Sequence, residues 1–223
     1  TDPTADRTIT FPDADVTLGS AAGFSKYTVV VASDSTFDLD SDTTKLIIEI
    51  QASGSTAGST DGATYGGGGG GAGAYAKKLL TGLAGATDKL NITIGSVAGA
   101  GVSGTTTSVA QAGTASFTTI TCTGGTGGTS SPGGSHGAGG AGGAVPTTGD
   151  LNIAGASGTG GQSYDSGYGP DSILGFGGGW PAVSNVGNGG AATGYGAGGG
   201  AGRGASKSGG AGSAAVVIVW EFK

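Results

Sequence analysis

The chain has 223 residues, a formal charge of −6 and only nine Lys and Arg. That balance argues against neutralising a run of nucleic-acid phosphates or an anionic membrane surface. No apolar run reaches the ~18 residues of a membrane span, so no membrane insertion is expected. Glycine is the anomaly: of 54 glycines, all but Gly19 and Gly23 lie between Gly54 and Gly212, which makes that stretch the feature to explain.

In chain order, Thr1-Asp2-Pro3 lacks the basic and apolar regions of a signal peptide. The absence of methionine predicts a processed, trimmed or partial chain. Residues 7–12 (RTITFP) alternate polar and apolar and read as a short strand closed by the turn Asp13-Ala14-Asp15. Residues 26–31 (KYTVVV) predict a second strand. Residues 45–51 (KLIIEIQ) predict a third, with Leu46, Ile48 and Ile50 on one face and Glu49 on the other. Before it, Asp38, Asp40 and Asp42 alternate, and Glu49 follows Asp38 at the spacing of a calcium loop. Thr43 stands where such a loop needs glycine, so an acidic turn between strands is the better account.

Residues 75–80 and 89–94 (KLNITI) predict two more strands, and the β-branched run 114–122 (TASFTTITC) a sixth. Its last residue, Cys122, is the sole cysteine and reads as a small buried hydrophobe. Residues 123–213 have no sustained helical or strand period; residues 215–222 (AVVIVWEF) then form the most hydrophobic strand. The fold class is all-β: a small β-sandwich or jelly-roll-like sheet with a long glycine-rich insertion at about 124–213. Segments 45–51 and 215–222 bracket the glycine-rich part and share an aliphatic character, so they are expected in one sheet as neighbours. Closing so long a connection costs chain entropy, which a packed insertion offsets.

A flexible linker is the alternative for the insertion. Against it stand the few charges, the interspersed Ala, Val and aromatic residues, and glycine at every third position: Gly134, Gly137, Gly140 and Gly143; Gly155, Gly158 and Gly161; Gly196, Gly199 and Gly202. A period of three matches the polyproline II helix, whose backbone groups must be satisfied by neighbours. Glycine on the contact faces lets such helices touch, so a stack of short polyglycine type II helices is expected.

Chemistry is sparse. His136, the only histidine, lies in a Ser/Gly loop, and the G-x-G-x-x-G matches are what this glycine content produces by chance. The nearest approach to a phosphate loop, GRGASKS at 202–208, lacks the glycine before lysine. No cofactor and no catalysis are expected. Tyr164, Tyr168, Phe176, Trp180 and Tyr195 occur where Asp, Ser and Pro interrupt the glycine period. They read as exposed turns equipped to bind sugars or protein surfaces, or else as lids packed over flat glycine surfaces.

The order of blocks KLIIEIQ, GGGGGGAGAYAKK, LNITIG, SFTTITCTGG, GDLNIAG and GGAGSAAVVIVWEF resembles the glycine-rich C-terminal domain of bacteriophage tail-fibre and related virion proteins, over about residues 44–223. Residues 1–20 look like the short repeats that precede such tips. The resemblance implies a shaft-like segment at 1–25, a tip domain at 26–223 and a homotrimeric, extracellular fibre assembled with other virion proteins. It further implies distal loops that bind a bacterial surface glycan or outer-membrane protein. Rival expectations are a capsid decoration or head-fibre protein with a structural role only, and an ice-binding or cell-wall glycine-rich protein.

Overall fold

A computed structural model of the chain describes residues 23–61, 65–97, 99, 101–114, 116–132, 135–179 and 186–223. The expected strand at 7–12 and nearly all of the expected 1–25 segment lie outside these residues.

The fold is all-β, and alternation decides its main strands. β3 (Lys45–Gln51) points Leu46, Ile48 and Ile50 inward with no exposure, while Lys45, Ile47 and Glu49 face outward. Burying each such side chain contributes about 2 kcal/mol. β11 (Val216–Phe222) does the same with Val217, Val219 and Glu221, and it pairs antiparallel with β3, Val219 opposite Ile48. The two strands bracketing the glycine-rich chain are thus neighbours. They sit in a five-stranded sheet ordered β1-β11-β3-β4-β8, with β1 at Phe24–Val30, β4 at Tyr75–Thr81 and β8 at Leu151–Ile153.

A four-stranded sheet, β2-β5-β6-β7, faces it: β2 at Asp34–Asp38, β5 at Lys89–Thr93, β6 at Thr107–Gln111 and β7 at Ile120–Cys122. One core joins the sheets, with Leu46, Ile48, Ile50, Leu80, Val217 and Val219 from the first and Leu90, Ile92, Val109, Ile120 and Cys122 from the second. The expected sixth strand shrinks from 114–122 to Ile120–Cys122, because Gln111 takes the Phe117 amide and Ser116, Thr118 and Thr119 stay exposed, with no ladder partner. β2 (DSTFD) has only Phe37 to mark it, and its pairing with β5 creates the strand.

The outer face of the five-stranded sheet carries apolar side chains as well. Tyr27, Trp220, Ile47 and Leu79 lie opposite one another across four strands, and the adjacent row holds Val29, Ile218 and Leu151 with the Glu49–Lys77 ion pair between the last two. Tyr27 and Phe24 pack on Trp220, at 5.2 and 6.0 Å between ring centroids, while remaining exposed. A shallow cavity of about 270 Å³ opens between Ile47, Lys77, Leu79, Asp150 and Leu151.

Beyond the sandwich the strands run straight on into glycine-rich segments hydrogen-bonded every third residue. In residues 66–74, Gly66, Gly69 and Ala72 donate to Gln162, Thr159 and Ala156; Gly67, Gly70 and Gly73 donate to Gly202, Gly199 and Gly196; Gly68, Gly71 and Ala74 donate to Thr129, Thr126 and Thr123. The amides of a β-strand alternate between two sides; amides aimed in three directions belong to a backbone with three residues per turn. The carbonyls of the same run accept from Gly137, Gly140 and Gly143, from Ala52, Ser55 and Gly58, and from Gly167. This central segment is therefore enclosed on all sides by backbone, and Gly66–Ala76 is buried throughout.

Glycine is required there sterically. A Cβ on Gly68 would overlap the Ala138 carbonyl, and one on Gly71 the Ala141 carbonyl, well inside the 3.0 Å approach that carbon atoms do not make. The lattice is not confined to 124–213, since residues 52–60 and 66–74 form its centre. Nor is the stretch 123–213 free of strands: besides β8, it holds the two-stranded ribbon of β9 (Leu174–Phe176) and β10 (Thr193–Tyr195).

Candidate functional site

The segments have a common polarity. β3 leads into 52–60 and β7 into 123–131, while β4 emerges from 66–74 and β11 from 207–215. Their turns at the far end gather Thr60, Tyr65, Ser131, Gln162, Ser163, Arg203 and Lys207, joined by the bridges Thr60–Ser131, Thr60–Lys207, Tyr65–Ser163 and Gly66–Arg203. The chain enters at the opposite pole. There Phe24 pairs with Phe222, and the Gly23 carbonyl accepts from the Lys223 amide. At ~3.1 Å per residue in the lattice and ~3.4 Å in the strand, the path from Lys207 to Phe222 spans about 50 Å.

At the far pole Tyr164 is 67% exposed and holds φ at 64°, a region bulky L residues seldom adopt. Its ring lies 5.8 Å from the Arg203 guanidinium carbon. Arg203 is 7% exposed, and its Nε and Nη1 meet no hydrogen-bond acceptor. The residues that flank Tyr164 in sequence line a groove of about 140 Å³, formed by Thr159, Gly160, Gln162, Asp165, Ser166 and Tyr168. His136 packs edge-on against Tyr65 at 4.9 Å.

The sequence-predicted aromatics divide between the two ends. Tyr164 and Tyr168 belong to the far pole. Phe176, 71% exposed, and Tyr195 sit on the β9–β10 ribbon, where the adjoining Gly196 meets Gln51 and Gly73 at the sandwich end of the lattice. Trp180 lies outside the described residues.

The four carboxylates of the calcium-like pattern do not converge. Asp38 faces Lys89 and Asp42 faces Lys223, each at 2.5 Å; Asp40 faces Lys26 at 2.5 Å; and Glu49 takes Lys77 at 2.9 Å and the Tyr75 hydroxyl at 3.0 Å. Their alternation places them on different strand faces and turns, and the lysine hydrogen bond holds the Asp42 carboxyl below its ordinary range. Burial pushes the Cys122 thiol up to about 12, so it stays protonated and inert at neutral pH.

Arg203 is what sequence reasoning missed. Its signal was a lone cation directly after the period-three run Gly196, Gly199, Gly202, where a neighbour's backbone has to surround it. The arrangement at this pole offers aromatic faces, hydroxyls, amides and one buried cation on a rigid base, which is equipment for binding.

Neither a family model nor a curated protein matches this chain.

Proposed function

We propose that the chain is the tip of a virion fibre, extracellular and non-enzymatic, that binds a bacterial surface glycan or outer-membrane protein through its distal loops. The observation that carries this reading is the separation of poles: the chain enters beside Phe222, while Tyr164, Tyr168 and Arg203 stand toward the other end of a lattice of backbone hydrogen bonds, whose chain path from Lys207 to Phe222 is about 50 Å. A fibre held at its entry pole presents those residues to whatever it meets.

The reading includes assembly. The outer face of the five-stranded sheet leaves Phe24, Tyr27, Val29, Leu79 and Leu151 exposed, and neighbouring apolar side chains left to water commonly mark an interaction surface. Its assigned occupant is a second copy of this chain, giving the homotrimer, with other virion proteins continuing the fibre.

The test is competition and mutation. Purified protein should block adsorption of the particle to host cells, and Tyr164→Ala or Tyr168→Ala should weaken that block while the domain stays folded. At least one should lose about thirtyfold in affinity, as central aromatic anchors commonly do. Normal adsorption by both variants removes the proposed site, and normal adsorption after deletion of the whole domain replaces this reading with a structural decoration role.

A further inference from the structure

Five of the protein's lysines each have a carboxylate within reach: Lys26 on Asp40 and Glu221, Lys77 on Glu49, Lys78 on Asp150, Lys89 on Asp38 and Lys223 on Asp42. These side chains are partly exposed, and water would have solvated them. Arg203 inverts the pattern. It is buried, forms no ion pair among the described residues, and leaves Nε and Nη1 without acceptors. A guanidinium stays charged at any working pH, and burying it unpaired is strongly unfavourable. The ring covering it belongs to Tyr164, which occupies the left-handed backbone region. Two unfavourable features thus meet in one pair of residues at the exposed pole.

We propose that Arg203 is an anion-binding residue that takes the carboxylate or phosphate of an acidic sugar, with Tyr164 as its displaceable cover. This rests on reading the far pole as the receptor-facing one. A planar fork of N–H donors suits an oxyanion better than any other side chain does. Turned aside, the Tyr164 ring offers its face to the C–H side of a sugar ring, and the groove lined by the residues on either side of Tyr164 in sequence has Thr159, Gln162 and Ser166 for sugar hydroxyls. Asp165 in the same groove is engaged by the Ser166 amide at 3.0 Å and makes no ion pair with Arg203. In a chain of net charge −6, an acidic ligand is repelled almost everywhere else, so one cation kept clear of the protein's own carboxylates confers selectivity.

The test uses the intact protein titrated with inorganic phosphate, glucose 6-phosphate, glucuronate and, as the neutral control, glucose. Arg7 and Arg203 are the only arginines, so the Arg203 Nε–H resonance is a direct probe beside thermal melting. An acidic sugar should shift that resonance and raise the melting temperature, and glucose should do neither. Whichever of glucose 6-phosphate and glucuronate acts at lower concentration identifies phosphate or carboxylate as the preferred group.

Arg203→Met should abolish both responses without lowering the melting temperature of the free protein, because it removes an uncompensated charge. Tyr164→Gly relieves the backbone strain and should tighten inorganic phosphate, while narrowing the preference for an acidic sugar over phosphate, since the stacking face is gone. The proposal is overturned by a silent Arg203 resonance up to about 10 mM of every acid, by an unchanged response in Arg203→Met, or by a large loss of stability in that variant without ligand. A silent titration alongside impaired adsorption of Tyr164→Ala leaves the receptor-facing reading in place with a different ligand. Normal adsorption of the tip variants removes that reading itself.

Discussion

Gly140 donates its amide to the Gly69 carbonyl at 2.8 Å while its α-carbon lies so near Thr126 that an added Cβ would overlap the Thr126 carbonyl oxygen. One residue thereby joins two neighbouring segments, one through its hydrogen bond and one through its missing side chain. Ala138, two positions earlier, points its methyl to solvent.

Gly140→Val should therefore damage the fold much more than Ala138→Val. Forcing the segments apart loses several backbone hydrogen bonds at about 1 kcal/mol each, together some 3 kcal/mol, or about 10 °C in melting temperature for a chain of this size. Ala138→Val should stay within about 0.5 kcal/mol. Equal melting of the two variants would count against a lattice packed through its glycines.

Amide exchange should be slowest in the middle of residues 66–74. The amides of Gly70, Gly71 and Ala72 each donate to a different segment and are buried, so each opens only when the whole lattice does. Exposed turns around Ser135 and Ser206 should exchange orders of magnitude faster. Uniformly fast exchange across 124–212 would restore the linker.

Glu221 is a buried acid of the sandwich, its side chain without exposure. Its Oε2 accepts the Asp40 amide at 2.8 Å and the Thr43 hydroxyl at 2.7 Å, and Lys26 stands 3.3 Å from Oε1. Glu221→Ala leaves the Asp40 amide and the Thr43 hydroxyl unanswered, while Lys26 keeps Asp40, and should cost about 3 kcal/mol. Glu221→Gln keeps an acceptor and should cost closer to 1 kcal/mol. Denaturant unfolding of the pair checks the order; a milder alanine variant would mean that the acid does not hold the 39–43 turn.

Cys122 makes stability depend on alkaline pH. Its thiol is pushed from 9.0 to about 12 by burial, a folded pKa raised above the unfolded one, so its contribution is complete below about pH 9 and is lost as pH rises toward 12. Within that window the wild type should lose up to about 1.4 kcal/mol per pH unit relative to Cys122→Ala. Parallel curves for the two proteins would remove the thiol from the account. The same burial predicts that a thiol reagent labels Cys122 only at the rate of unfolding.

Local pattern alone determined a good deal of this molecule. The alternation of KLIIEIQ and AVVIVWEF sets two strands and the face each one buries, because side chains on a strand have only two sides. Glycine at every third position in 137–143 and 155–161 sets where segments touch, because any Cβ there meets a neighbour's carbonyl. Those signals lie within a few residues of chain. The tertiary structure decided everything that depends on which distant segments meet. It made residues 66–74 the centre of the lattice, although an unbroken run of glycine has no period to read. It separated Tyr164 and Tyr168 from Phe176 and Tyr195, gave Asp38, Asp40, Asp42 and Glu49 lysine partners in place of a shared cation, and enclosed Arg203 without one. Charge pairing and burial are set by distances in space, and residues brought together from 22 to 181 positions apart leave no trace of that meeting in the pattern around any one of them.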